Sequence, residues 1–413
     1  MRRRIASNVG WMLLDRCTQV LAGIGVIAIL ARAMGPTGFA TFQYAQSLVY
    51  IAASVALICG GEVVIPRLVA HADATDQHRL LVHVFRLRIL AALGGYLLII
   101  AFLVITGQAE QYCWPALILG ISILLREPSG VVTAWLQAHT RTRPGVLINL
   151  AALAARVGTV MALAAWSFQT ASAYASAFAL ESILVAALLY LLYRRQAAMP
   201  SIALDPALTR QLLHDGSLFW VSFMLMMVTR RVDQLILQPH VAAVEFASYA
   251  ATVQIVDNFT TLATILAGGI APLYIYGKSD RAAAIRSVCR LAALLFAVGV
   301  IGAALLAFLA PWVVHLLYGS AFADAIDLLR LAALVSPLVF ADVGFTILAV
   351  YLRRPRWIAW KWAAAGAAAV VVDVIFIPDL GARGAILGYA TSSMITSVVG
   401  LGLWLHARRQ QAS

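Results

Sequence analysis

Twelve runs of about twenty apolar residues follow one another along this chain, and few folds can hold them. Coiled as an α-helix rising ~1.5 Å per residue, a run of that length covers about 30 Å, the hydrocarbon thickness of a bilayer. The runs are predicted at 9–34, 42–66, 87–106, 114–138, 145–166, 171–193, 216–238, 247–273, 288–310, 326–352, 357–377 and 384–406. They are long and do not alternate apolar with polar residues, and lipid offers no partner to an exposed peptide group. Helices are therefore expected and barrel strands are not. With 62% of its 413 residues apolar and 12% charged, the chain is unsuited to any water-soluble fold of this length. The expected class is all-α, a polytopic membrane protein. Its basic opening has the look of a signal peptide, but the apolar run behind it is too long, carries Asp15 and Arg16, and ends without a small-x-small cleavage pattern. It is read as the first span.

Lysine and arginine set the expected orientation. With the first residue in the cytoplasm, 22 of the 30 basic residues fall on cytoplasmic segments, including Arg2, Arg3, Arg4, Arg86, Arg88, Arg194, Arg195, Arg353, Lys361, Arg408 and Arg409. Only Arg32 and Arg383 fall on the opposite surface. This bias predicts cytoplasmic termini and cytoplasmic segments at 67–86 and 194–215. Because the +12 charge is distributed loop by loop and not gathered on one face, no nucleic-acid partner is expected.

The chain also repeats itself. Gly38-Phe39-Ala40-Thr41-Phe42 returns as Glu245-Phe246-Ala247-Ser248-Tyr249, and at nearly the same offset Gly60-Gly61 matches Gly268-Gly269, Pro66 matches Pro272, Pro128 matches Pro337 and Arg143-Pro144 matches Arg354-Pro355. Each copy holds six spans, an even number, so both halves enter from the same side, as in transporters built from parallel repeats. The domains expected are a lobe at 1–193, a linker at 194–215 and a second lobe at 216–413.

At these residues the sequence resembles a known family. LARAMGPTGFATFQYA is similar to the end of span 1 and start of span 2 in polysaccharide-repeat flippases of the multidrug/oligosaccharidyl-lipid/polysaccharide exporter superfamily, with Ala40 where a second glycine is usual. RRVDQLIL (Arg230 to Leu237) resembles the family's span 7, LYGSAFADAIDLLRLAALVSPL (Leu317 to Leu338) its loop and span 10, and LQAHTRTR (Leu136 to Arg143) its turn between spans 4 and 5. The resemblance covers about residues 8–406. It implies two six-helix lobes around a central cavity, and movement of undecaprenyl-pyrophosphate-linked oligosaccharide from the cytoplasmic to the outer leaflet of the bacterial inner membrane. Surface polysaccharide synthesis (O-antigen, capsule or exopolysaccharide) is the implied purpose and a polysaccharide polymerase an implied partner.

A charged side chain in hydrocarbon costs several kcal/mol unless it is paired or faces water, so charges inside spans are functional candidates. Six arginines qualify: Arg16, Arg126, Arg156, Arg230, Arg231 and Arg330. Guanidinium keeps its charge when desolvated and donates two parallel hydrogen bonds to phosphate oxygens, so a succession of arginines suits a travelling pyrophosphate. Asp15, Glu127, Glu181, Asp233, Asp257, Asp342 and Asp373 also lie in or near spans, and each arginine is equally read as the partner of one of them. Arg230 and Asp233, three apart on one helix, are expected to pair, as are Arg156 and Glu181 across two helices.

Other chemistry is absent from the pattern. Gly277-Lys278-Ser279 ends like a nucleotide-binding loop, but Pro272 occupies the position of its first glycine. The eight histidines fall in predicted loops or span ends, and the four cysteines have no metal or redox spacing. No cofactor and no metal are expected; a coupled ion would use Asp233, Asp257 or Asp342. Two other functions fit the composition. A cation-coupled drug antiporter of the same superfamily would share the duplication but should hold fewer intramembrane arginines. An integral-membrane glycosyltransferase or polymerase would need larger outer loops than the roughly 4–16 residues expected here, so an enzyme is not expected.

Overall fold

The computed structural model describes residues 2–71, 73–196, 202–271, 274–275, 280–352 and 354–410, with the backbone alone for 2–9 and 281. Thus Gly277-Lys278-Ser279, Pro272 and Arg353 lie outside the described residues, as do the side chains of Arg2, Arg3 and Arg4. No strand occurs among the described residues. Helices α1 (Arg2–Ala56) and α2 (Gly61–Ala70) are followed by α3 (Ala74–Ile105), α4 (Ala109–Ala138), α5 (Arg143–Ala165) and α6 (Ala171–Gln196). Then come α7 (Pro206–Thr229), the short α8 (Val232–Leu237), α9 (Ala243–Ala271), α10 (Arg281–Leu317), α11 (Ala325–Tyr351), α12 (Pro355–Leu380) and α13 (Ala382–Arg409).

Among the described residues eleven helical stretches are long and apolar enough to cross a membrane. The first, Gly10–Ala70, has 61 residues. Straight, it would reach about 90 Å, three hydrocarbon thicknesses. It folds back at Gly35, whose φ of 66° lies in the left-handed region that glycine enters without penalty. Pro36 follows at the start of the returning helix, where its missing N–H is not needed. Eleven stretches therefore make twelve passes. At most half of each stretch's most apolar window is buried, and residues such as Leu21, Ile105, Phe308 and Trp360 stand largely exposed. In water such surfaces would aggregate; their solvent is lipid, and the chain is a multi-pass membrane protein. Of the aromatic residues at span ends, Trp114, Trp166 and Trp312 are exposed like Trp360, whereas Trp404 is buried and donates to the Ile285 carbonyl at 2.8 Å.

The segments predicted as cytoplasmic loops are more helical than expected. Only 71–73 separates α2 from α3, and α6 and α7 take both ends of 194–215. The chain divides into two compact units, Met1–Met224 and Leu225–Ser413, with the boundary inside α7. Within them the repeated residues take matching places. Phe39 and Phe42 are fully buried early in the second pass of the first unit, and Phe246 and Tyr249 in the second pass of the other. Pro128 and Pro337 lie inside the fourth passes, and Arg143-Pro144 and Arg354-Pro355 open the fifth. The glycine pairs differ: Gly60-Gly61 marks the break between α1 and α2, while Gly268-Gly269 lies in unbroken α9.

That break organises the core of the first unit. Helix ends leave carbonyls without intrahelical donors, and at membrane depth water cannot supply them. Cys59 turns the chain with a φ of 53°. Trp220 Nε1 donates to the Ser54 and Val55 carbonyls, each at 3.1 Å. Arg88 supplies two more, Nε to Ile58 O at 3.1 Å and Nη2 to Cys59 O at 3.0 Å, and its Nη1 reaches across to Glu127 O on α4 at 3.1 Å. The charge pattern predicts Arg88 at a basic membrane edge. Instead α3 begins at Ala74, well before the predicted start of span 3, and this carries Arg88 into the interior, where it is buried. Lys361 is likewise buried, bonded to Asp342 Oδ1 and Thr346 Oγ1, each at 2.7 Å. Helix α3 packs closely on the helix leading into the break: a β-carbon on Gly95 of α3 would sit 2.6 Å from Ala52 O.

Replacing Arg88 by methionine leaves the two buried carbonyls of the break, Ile58 and Cys59, without this donor, at about 1–3 kcal/mol for each group left unsatisfied. Arg88→Met is therefore expected to lower the thermal unfolding temperature of purified protein and its abundance in membranes, with Arg88→Lys intermediate. Unchanged melting of Arg88→Met would mean the break is held by packing alone.

Candidate functional site

Each unit gathers two guanidinium groups around one carboxylate. In the first, α4 brings Arg126, α5 Arg156 and α6 Glu181. Arg156 Nη1 lies 2.7 Å from Glu181 Oε2, the expected pair, and Arg126 Nη1 adds a second contact at 3.1 Å to Oε1. The Glu181 side chain is 4% exposed and Arg126 34%. Arg156 also lies over the Phe178 ring, 4.9 Å from its centroid, and Phe178 packs on Phe42 at 5.3 Å. The repeated motif thus supports the site from beneath.

In the second unit α7 stops at Thr229 and α8 starts at Val232, leaving Arg230 and Arg231 at the break. Arg231 Nη2 lies 2.6 Å from Asp257 Oδ2 on α9, and Arg230 Nη1 3.8 Å from Oδ1. The expected pairing of Arg230 with Asp233 does not occur. Three-residue spacing brings side chains together only on a continuous helix, and Arg231, at φ −139°, interrupts this one. Asp233 instead accepts from the Tyr249 hydroxyl and from the Gln234 backbone N–H, the latter at 2.7 Å.

The other two arginines stand apart. Arg16 is exposed on α1; its neighbour Asp15 turns inward and accepts from Gln19 at 3.1 Å and Asn149 at 3.2 Å. Arg330, expected inside a span, is exposed in the second turn of α11 and pairs with Asp327 at 3.1 Å. Helix α11 starts at Ala325, so the apolar run read as a span begins with an exposed helix end.

The three carboxylates considered for ion coupling also separate. Asp257 has two arginines and Asp342 has Lys361 at 2.7 Å, both buried. Asp233 has no ion pair among the described residues. Within the same unit Asp373 of α12 is 1% exposed, and neither of its oxygens has a hydrogen-bond partner. A β-carbon on Gly388 of α13 would collide with its Oδ1. Among the described residues no group of three histidine, cysteine, aspartate or glutamate side chains is placed to hold a metal ion.

The sequence profile of the polysaccharide biosynthesis protein family matches residues 5–273. The chain belongs to that family. No curated protein sequence matches this polysaccharide biosynthesis protein. Solved structures do. An inward-facing multidrug resistance MATE family transporter of the MOP superfamily superposes with a TM-score of 0.76 at 15% identity, over 95% of each chain. The lipid II flippase MurJ, in an inward closed conformation, gives 0.63 at 12% identity, over 94% of this chain and 86% of its own. A MOP superfamily transporter from Pyrococcus furiosus, described as having a binding pocket of reverse polarity, gives 0.57 at 13% identity over 98% and 94%. The polysaccharide biosynthesis protein has the MOP transporter fold.

Sequence reasoning missed Arg88, Lys361 and the Asp373 environment. The signal for the first two was present, since each sits close to a predicted span edge; the early start of α3 moved Arg88 inward, whereas α12 starts only two residues before the predicted span and Lys361 is buried by its contacts with Asp342 and Thr346.

A simple pair loses most when either member is removed, but a carboxylate shared by two arginines is different. Removing Arg126 or Arg156 leaves a neutral pair, whereas Glu181→Ala leaves two guanidinium groups facing each other in hydrocarbon, at a cost of about 3 kcal/mol or more. Membrane abundance is expected to be lowest for Glu181→Ala, and Arg156→Ala with Glu181→Ala should recover part of it. An equal loss for Arg156→Ala and Glu181→Ala, measured by immunoblot of membranes, would contradict the shared arrangement.

Proposed function

We propose that this protein flips undecaprenyl-pyrophosphate-linked oligosaccharide units from the cytoplasmic to the outer leaflet of the bacterial inner membrane, for surface polysaccharide synthesis. The observation that carries the proposal is the uneven hold on the arginines. In each unit one guanidinium is bound tightly, Arg156 at 2.7 Å and Arg231 at 2.6 Å, and the other more loosely, Arg126 at 3.1 Å and Arg230 at 3.8 Å. The loosely held ones are also the more exposed, Arg126 at 34% and Arg230 at 37%. Each triad carries one positive charge more than its carboxylate cancels, and each offers that charge on a side chain able to turn toward an anion. A pyrophosphate dianion bound by charge and by forked hydrogen bonds suits such groups. Membership of a polysaccharide biosynthesis family and the fold shared with MurJ and MATE transporters support the same reading.

The termini are proposed to be cytoplasmic, from the basic bias of the loops. For the driving force, Asp233 and Asp373 support coupling to a cation, because both are buried and neither has an ion pair among the described residues. The same pair favours a second reading, cation-driven export of a small molecule.

Arg126→Ala and Arg230→Ala are each expected to cut surface polysaccharide at least tenfold while membrane abundance stays near wild type, with lysine restoring only part. The lipid-linked sugar should accumulate on the cytoplasmic side, and purified protein in liposomes should flip it without ATP. Normal polysaccharide in both alanine variants, joined to drug sensitivity in Asp233→Asn cells, would favour the exporter. A cysteine at Leu204, exposed in the structure, should resist a membrane-impermeant thiol reagent in intact cells and react once they are opened.

A further inference from the structure

We infer that His83 is an acid-released latch holding the start of α7, the helix that leads from the first unit into the second, against α3. The imidazole is fully buried between two backbone groups. Its Nδ1 lies 2.8 Å from the Arg79 carbonyl, and its Nε2 lies 2.8 Å from the backbone N–H of Asp205. A carbonyl only accepts and an N–H only donates, so the ring between them carries its proton on Nδ1 and offers the lone pair of Nε2. A second proton would set N–H against N–H. Histidine gains that proton in the range where cellular pH varies.

His78, one turn away, behaves differently. It is buried against Tyr193 at the end of α6, ring nitrogen to hydroxyl 2.8 Å. A hydroxyl donates or accepts, so that contact survives protonation. The same stretch of α3 therefore holds both ends of the connection between α6 and α7, and only the His83 end is intolerant of acid.

The charged surroundings do not rescue it. Asp205 Oδ1 accepts from the backbone N–H groups of Ala207 at 2.9 Å and Leu208 at 3.3 Å, and Oδ2 from Arg79 at 2.6 Å. Those N–H groups, with the Arg79 guanidinium, hold the Asp205 carboxyl below the usual carboxylate range. The contribution of a depressed carboxyl is present above its unfolded value and is lost only as pH falls through the lower folded one, so the Asp205 contacts persist between pH 8 and 5.5. An imidazolium would be attracted by this carboxylate and repelled by Arg79, but both carboxylate oxygens are already taken and its Nε2–H would still face the Asp205 N–H. A cavity of about 460 Å³ is bounded by Arg67, Arg79 and Asp205, the last two being the residues bonded to the imidazole. It also carries Asp76 of α3 and His71, which like Arg67 lies at the end of α2; Arg67 pairs with Asp215 of α7, which His214 also contacts.

The test places a nitroxide on a cysteine at the exposed Leu204, in full-length protein with its native cysteines replaced, reconstituted in nanodiscs. In otherwise wild-type protein its mobility should rise as pH falls from 8 to 5.5. With His83→Gln, whose amide oxygen accepts but does not titrate, the label should stay restrained at both values; with His78→Gln the wild-type transition should remain. A flat wild-type response, or the same transition in His83→Gln, overturns the latch. The Gln comparison stands even if a bulkier replacement such as His83→Phe fails to fold.

Discussion

Hydrocarbon supplies no counter-charge and no hydrogen bond, so every polar group that enters it must bring its own partner. The architecture of this protein follows from how that demand is met. Carbonyls freed at the break between α1 and α2 are met by Arg88 and Trp220. Lys361 is met by Asp342 and Thr346. It is met unevenly in the two triads, where two guanidinium groups share one carboxylate, and at Asp373, whose oxygens have no hydrogen-bond partner.

The duplication supplied a scaffold and not a site. At matching positions Phe42 packs against Phe178, beneath Arg156, while Tyr249 donates its hydroxyl to Asp233. One added oxygen turns a packing residue into a partner for a buried carboxylate. The triads themselves arise on different passes, the fourth to sixth in one unit and the first two in the other. Each half thus solved the same electrostatic problem separately, on helices whose course was common to both.

A triad with an odd charge also has a mechanical property that a closed pair lacks. In the proposed flippase its carboxylate anchors one arginine firmly, so that the second exchanges the carboxylate for the anionic ligand without stranding a charge. The break before α8 puts irregular backbone beside the second triad, and the latch at Asp205 opens the helix that leads to that break. Such points bend at less cost than a continuous helix does.

Much was legible in order and composition alone. Apolar run length determines the number of passes, because hydrocarbon thickness sets helix length, and the drifting repeat marks the two halves. The pairing of Arg156 with Glu181 was legible because equal depth on adjacent antiparallel helices leaves few alternatives. Tertiary structure alone decided that Arg126 shares that carboxylate, that Arg230 turns to Asp257 and not Asp233, that Arg330 is exposed, and that Arg88 and Lys361 are buried. The reason is common to all of them: spacing along a chain gives angle and depth only while a helix continues, and helix breaks and ends are placed by packing against other segments, which no local stretch of sequence records.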